Sequence, residues 1–314
     1  MNITEVKKIT VLGMGTMGPD IALAFSIAGY EVTGVDIEQP ILARARQRIT
    51  TNCRQIMEED QLEKTGDLQS RIHLTLDWDR AVADADYITE AVPENMEIKR
   101  RVLKRCEEVC RKEVVLASNT STMSITELTS GMRYPRRCIG THWIIPAHLS
   151  PSVEIVPGRR TSQGTTKFVF GLLRKVGKRP AVCKDNPGFI HNSVQVAMIQ
   201  GALALVERGV ATPEDVDTMI ENGFALRLPA AGPIRIVDLI GLDAFLGGLK
   251  YLYVTTGNPI YKPSKLLEDK VQKGDLGLKT KRGFYDYTED EVSKLRREID
   301  RTIIKTKSLK ERQP

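Results

Sequence analysis

Apolar residues recur along the first 185 positions in two alternating rhythms. Short apolar runs at 7–12, 31–35, 72–76, 87–92, 114–117, 137–143, 153–156 and 179–184 have the length and composition of buried strands. Between them lie stretches at helical spacing. Ile21, Leu23, Ala24, Phe25 and Ile27 form one; Ile41, Leu42, Ala45, Ile49 and Ile56 form the inner stripe of a charged helix over 39–59; further helices fall at 95–110 and 164–176. Alternation of this kind predicts an α/β fold with a mostly parallel sheet covered by helices on both faces. At Asp185-Asn186-Pro187-Gly188 the rhythm breaks, and beyond it nearly everything reads as helix: 189–208, 213–222, 233–255 and 264–273. Two domains are therefore expected, 1–185 and an all-helical 186–314. Thr212 before Pro213-Glu214-Asp215 is a capped helix start.

The first turn of the chain carries the first chemistry. Gly13-Met14-Gly15-Thr16-Met17-Gly18 joins the first strand to a helix, and the second strand ends in Asp36. Strand, G-x-G-x-x-G, helix, strand and acid together are the dinucleotide fingerprint of a Rossmann-type, doubly wound domain. Gly13 permits the tight turn, Gly15 lets backbone approach the pyrophosphate, and Gly18 lets helix pack on strand. Thr16 and Met17 open the helix whose N–H groups receive the phosphate. Asp36 would accept from the ribose hydroxyls and disfavour a 2′-phosphate, so NAD is the expected cofactor.

Ligands of such sheets bind beyond the carboxyl ends of the strands. The residues there are 90–94, Ser118-Asn119-Thr120-Ser121 and His142. Glu154 stands in an apolar run twelve residues after His142, where a carboxylate is costly unless partnered. The two are either a base with its orienting acid, or unrelated residues on neighbouring strand ends.

Composition narrows the alternatives. With 41% hydrophobic and 27% charged residues the chain is an ordinary globular protein. The net charge is +6, but 293–314 holds eight Lys/Arg against three Asp/Glu, which leaves the body near neutral and argues against a nucleic-acid surface. Val292, Leu295, Ile299 and Ile303 give that basic tail a helical stripe. Cys53, Cys106, Cys110, Cys138 and Cys183 form no C-x-x-C pair, so no metal site and no disulfide framework is expected. No apolar run reaches the roughly 18 residues needed to span a bilayer. A cytoplasmic protein without membrane partners follows as the expectation.

These motifs resemble the 3-hydroxyacyl-CoA dehydrogenase family. The likeness runs from about Ile9 to Tyr287 and rests on GMGTMG at Gly13, EAVPENMEIK at Glu90, SNTS at Ser118, the His142-to-Glu154 spacing, KDNPGFIHN at Lys184 and GLKTKRGFYDY at Gly277. The resemblance implies that His142 is the catalytic base and that Glu154 orients it. It also implies that Ser121 and Asn192 contact substrate, and that Glu94, Lys99 and Lys279 stand beside the cofactor. His73, His148 and His191 are weaker candidates for the base; His191, one place from Asn192, is expected to face elsewhere on its helix. A homodimer through the helical domain is expected.

Departures from the family pattern bear on the substrate. Ile145 stands where relatives have an asparagine that touches cofactor, and Lys281 where a glycine is usual. Asn52 and Glu59 stand where a serine and a lysine contact CoA, with Arg48 and Arg54 as nearby cations. MGP at Met17, HW-x-x-P-x-H-x-x-P at His142 and VERG-x-x-x-PED at Val206 are similar to a branch acting on substrates without CoA, among them pyridine-alcohol, carnitine and gulonate dehydrogenases. The first reading is oxidation of the 3-hydroxyl of a short L-3-hydroxyacyl-CoA. The second is the same chemistry on a small hydroxy acid or alcohol without CoA, and the third a non-catalytic NAD-binding structural protein.

Overall fold

The computed structural model describes residues 2–58 and 66–310; Glu59 and the last four residues of the basic tail lie outside them. Contacts divide the chain into two compact units, 1–199 and 200–314. In the first, strands and helices alternate. The order is β1 (Lys8–Leu12), α1 (Gly18–Ile27), β2 (Glu31–Val35), α2 (Gln39–Glu58), α3 (Gly66–Ser70), β3 (Ile72–Thr75), α4 (Trp78–Ala83), β4 (Tyr87–Glu90), α5 (Met96–Val109), β5 (Val115–Ser118), α6 (Ile125–Leu128), β6 (Cys138–Trp143), β7 (Ser152–Val156), α7 (Gln163–Lys175), β8 (Arg179–Val182) and α8 (His191–Glu207). One eight-stranded sheet has the order β3-β2-β1-β4-β5-β6-β7-β8. All neighbouring pairs are parallel except β6 with β7.

The central strands read as continuous apolar runs because both faces are covered, whereas the edge strand β8 is largely exposed. Side chains alternate across a strand, so Ile9 and Val11 enter one core while Leu12 enters the other; Tyr87 and Ile88 divide in the same way. One core takes Ile21, Phe25, Val169 and Leu172 from α1 and α7, the other Val82, Leu103 and Cys106 from α4 and α5. The doubly wound α/β class is thus observed. The division of units falls inside α8 rather than at residue 185, because the first turn of that helix is tied to β7: the Ile190 and His191 amides donate to Glu154 at 2.7 and 2.8 Å.

The second unit holds α9 (Pro213–Met219), α10 (Pro233–Ile240), α11 (Leu242–Thr256), α12 (Lys265–Gln272) and α13 (Glu289–Lys310). The single helix expected over 233–255 is two, because Gly241 at φ +99° breaks it. Asp238, fully buried at the end of α10, accepts from the Phe284 and Tyr285 amides at 2.8 and 3.1 Å and from the Tyr287 hydroxyl at 2.8 Å. The GLKTKRGFYDY stretch therefore wraps a carboxylate. Lys281, in place of the usual glycine, sits at φ +56°, a left-handed backbone that costs a side chain about 1 kcal/mol. The tail helix α13 buries Leu295 and Ile299 against Ile236, Leu278 and Tyr287. Among the described residues no helix is long and apolar enough to cross a membrane.

Candidate active site

The glycine loop lies between β1 and α1. Asp36, at the end of β2, accepts from the Met14 amide through Oδ2 and from the Ile37 amide through Oδ1, both at 2.7 Å, which sets the carboxylate at the loop. A Cβ on Gly13 would come within 2.7 Å of Ala91, and one on Gly18 within 2.0 Å of the Gly13 carbonyl oxygen. A Cβ on Gly15 would meet nothing within 4 Å and would stand in open space. At the helix start, the Met17 side chain makes no capping hydrogen bond. A bare backbone, a helix N-terminus and a nearby acid are the donor and acceptor set that a dinucleotide requires.

The ends of β4 and β5 form the next wall. Glu94 Oε1 accepts from the Thr120 hydroxyl at 2.6 Å and the Ser121 amide at 2.9 Å, and Oε2 lies 3.3 Å from Lys99 Nζ. Burial opposes its charge, yet the Thr120 hydroxyl, Lys99 and the Ser121 amide hold the carboxyl below the ordinary carboxylate range. Lys99 itself is 1% exposed, with its ammonium on Glu90 at 2.7 Å and on the Val92 carbonyl at 3.1 Å. It supports the wall through Glu94 and is not among the residues that line the cleft. In the second unit, the Lys279 ammonium pairs with Asp243 at 2.8 Å.

His142 and Glu154 stand directly opposite in the antiparallel pairing of β6 and β7. The spacing of twelve residues is the length of chain that turns back between those two positions. His142 Nδ1 lies 2.6 Å from Glu154 Oε2, and Oε1 accepts from the Ile190 and His191 amides. Burial opposes the carboxylate, but His142 and the two amides hold Glu154 below its ordinary value. With Nδ1 engaged, Nε2 is the ring nitrogen left for a ligand. Asn192 Nδ2 donates to the Ser121 carbonyl at 3.0 Å, which brings those two residues together.

Gly13, Gly15, Thr16, Met17, Asp36, Glu94, Asn119, Ser121, His142, Ile145 and Asn192 line one cleft of about 920 Å³. Ile145 is 61% exposed there. The matches with known proteins cover both domains. Residues 8–186 match the model of the 3-hydroxyacyl-CoA dehydrogenase NAD binding domain, and residues 188–287 that of the C-terminal domain. The chain belongs to the 3-hydroxyacyl-CoA dehydrogenase family. As such it is an NAD-dependent oxidoreductase acting on CH–OH groups, and NAD is its cofactor. It is 31% identical, over 98% of its length and 99% of the relative's, to 5-formyl-3-hydroxy-2-methylpyridine 4-carboxylate 5-dehydrogenase of Mesorhizobium japonicum. A probable 3-hydroxybutyryl-CoA dehydrogenase of Deinococcus radiodurans is 36% identical over 89% of this chain and all of that one. The crystal structure of the 3-hydroxyacyl-CoA dehydrogenase from Archaeoglobus fulgidus superposes with a TM-score of 0.81 at 32% identity, covering 94% of this chain and 97% of that one.

Other side chains of this dehydrogenase lie where the sequence does not put them. Arg48 is not a free cation: it makes two 2.9 Å bonds to the buried Asp20, to which Asn52 also donates at 2.9 Å. Nδ1 of the buried His148 lies 3.4 Å from the same carboxylate. His191, expected to face elsewhere, lines the cleft, its ring centroid 6.1 Å from that of His142. Gln195, one helical turn further on, lines it too. No apolar stripe signals this, because α8 has no buried residue that would set its rotation.

Proposed function

We propose that this dehydrogenase oxidises a hydroxyl-bearing carbon of a small substrate with His142 as general base and Glu154 as the carboxylate that orients it. The observation that carries the reading is the 2.6 Å bond between His142 Nδ1 and a Glu154 carboxylate anchored by two backbone amides. Nε2 takes the hydroxyl proton, and Glu154 stabilises the imidazolium that forms; a positioned base of this kind contributes roughly 10²- to 10⁴-fold. NAD, when bound, accepts the hydride that leaves the same carbon. Ser121 and Asn192 hold the substrate oxygen as it becomes a carbonyl. Gly13, Gly15, Thr16, Met17 and Gly18 receive the pyrophosphate, and Asp36 the ribose hydroxyls. Glu94, with Lys99 behind it, shapes the nicotinamide side, and Lys279 is assigned to the cofactor by its place in the family motif.

A short L-3-hydroxyacyl-CoA is the substrate that most of the family's names support. Two observations favour the second reading, a small hydroxy acid or alcohol without CoA. Arg48 and Asn52, which flank the glycine loop, are engaged by Asp20 and are not free for a phosphate-bearing ligand. The pyridine-carboxylate dehydrogenase also matches this chain over nearly its full length. Measuring NADH formation with 3-hydroxybutyryl-CoA, free 3-hydroxybutyrate, carnitine and pyridine alcohols separates the readings. Turnover of the CoA ester above all others would remove the second; no turnover of the ester beside turnover of another would remove the first.

A homodimer through the helical segment completes the proposal. Val194, Val196, Met198, Ile199 and Leu203 of α8 are each more than 40% exposed, an apolar surface that a second copy would cover. The mass of the particle in solution tests this.

A further inference from the structure

His191 and Gln195 are polar side chains of the cleft that have no part in the chemistry above. They lie four residues apart in α8, so they present to the same side of the helix. Among the described residues neither the imidazole nor the amide has a hydrogen-bond partner. The His191 backbone is nevertheless fixed, because its amide donates at 2.8 Å to the carboxylate that holds His142. Its ring stands beside the proposed base, 6.1 Å from it between centroids.

The charges along the cleft are unevenly distributed. Asp36 and Glu38 belong to the glycine-loop end, and Glu94 is taken up by Lys99, Thr120 and the Ser121 amide. Around His142 both oxygens of Glu154 are engaged as well. Among the described residues no lysine or arginine lines the cleft. The His191 ring and the Gln195 amide are therefore the unpartnered N–H donors, among the described residues, that an anionic group would meet in the cleft that holds His142.

We propose that His191 and Gln195 form a seat for a free carboxylate on the substrate. The seat holds the acid so that its hydroxyl-bearing carbon reaches His142, an assignment that rests on the dehydrogenase reading given above. The imidazoles are 6.1 Å apart between ring centroids, a span bridged by a molecule whose carboxylate and hydroxyl are two or three bonds apart. The substrate class is therefore a small hydroxy acid, aliphatic or aromatic. A thioester or ester carbonyl in the same place would receive only a neutral hydrogen bond, about half as strong as one to a carboxylate.

The test uses the full-length enzyme with bound NADH and two acids, 3-hydroxybutyrate and a hydroxymethylpyridine carboxylate, each beside its methyl ester. Ligand binding is followed by NADH fluorescence, and turnover is followed separately. His191→Leu and Gln195→Leu are expected to weaken binding of at least one acid by at least about tenfold and to leave its ester nearly unchanged. His191→Gln should fall between wild type and His191→Leu. Equal weakening of acid and ester, no change in either, or failure of the wild type to bind either acid would overturn the seat. Selective weakening of the acid in an enzyme that oxidises neither acid would leave the seat standing and reject the reading of a small hydroxy acid as the substrate oxidised at His142 instead.

Discussion

His142 and Glu154 are direct cross-strand partners in the one antiparallel pair of an otherwise parallel sheet, and the same carboxylate holds the first amides of α8. One side chain thereby joins the proposed base to the helix that carries Asn192, His191 and Gln195. Glu154→Gln keeps the size but loses the charge. Because His142 and the amides hold Glu154 below its unfolded value near 4.5, its contribution to stability is present above that pH and lost as pH falls through the lower folded value. The variant should be less stable at pH 7 by about 2 kcal/mol. In denaturant titrations the gap should narrow below pH 4.5; a gap independent of pH would contradict the pairing.

The glycine loop offers a contrast between two similar substitutions. Gly18→Ala would drive a methyl against the Gly13 carbonyl and should cost about 1–3 kcal/mol, read from thermal unfolding. Gly15→Ala meets no atom and should leave stability within about 0.5 kcal/mol. It should still weaken NADH binding, since its methyl occupies the space that the pyrophosphate needs. Normal NADH affinity in Gly15→Ala would show that the cofactor takes another course.

Lys178 supports the loop after the proposed base from below. Its ammonium donates to the Ala147 and Ser150 carbonyls at 2.7 and 2.8 Å and lies 5.5 Å from the Trp143 ring. Lys178→Met leaves those carbonyls without a donor and should destabilise the protein by about 2 kcal/mol. The KM for NAD should rise as well, because Ile144 and Ile145 of this loop line the cleft. An unchanged KM in the destabilised variant would confine Lys178 to the core.

Much of this was legible in the residues, for identifiable reasons. Buried strands are short apolar runs, and a glycine fingerprint between strand and helix has one structural meaning. Other features depend on tertiary partners that no local pattern records. Asp20 of α1 draws together Arg48 and Asn52 of α2 and His148 of the loop after β6, so the arginine that reads as a free cation is already paired. His191 faces the cleft against expectation because α8, with no buried residue, carries no stripe from which its rotation can be read. Gly241 is a permissible helix residue until the backbone is seen at φ +99°.

The central claim, that His142 is the base and not part of the cofactor site, is tested most directly by His142→Gln. NADH formation is measured under saturating substrate, and the NADH dissociation constant is measured in parallel. Turnover should fall by at least about a hundredfold while NADH affinity stays within about threefold of wild type. Near-wild-type turnover, or a loss of NADH affinity as large as the loss of turnover, would contradict it.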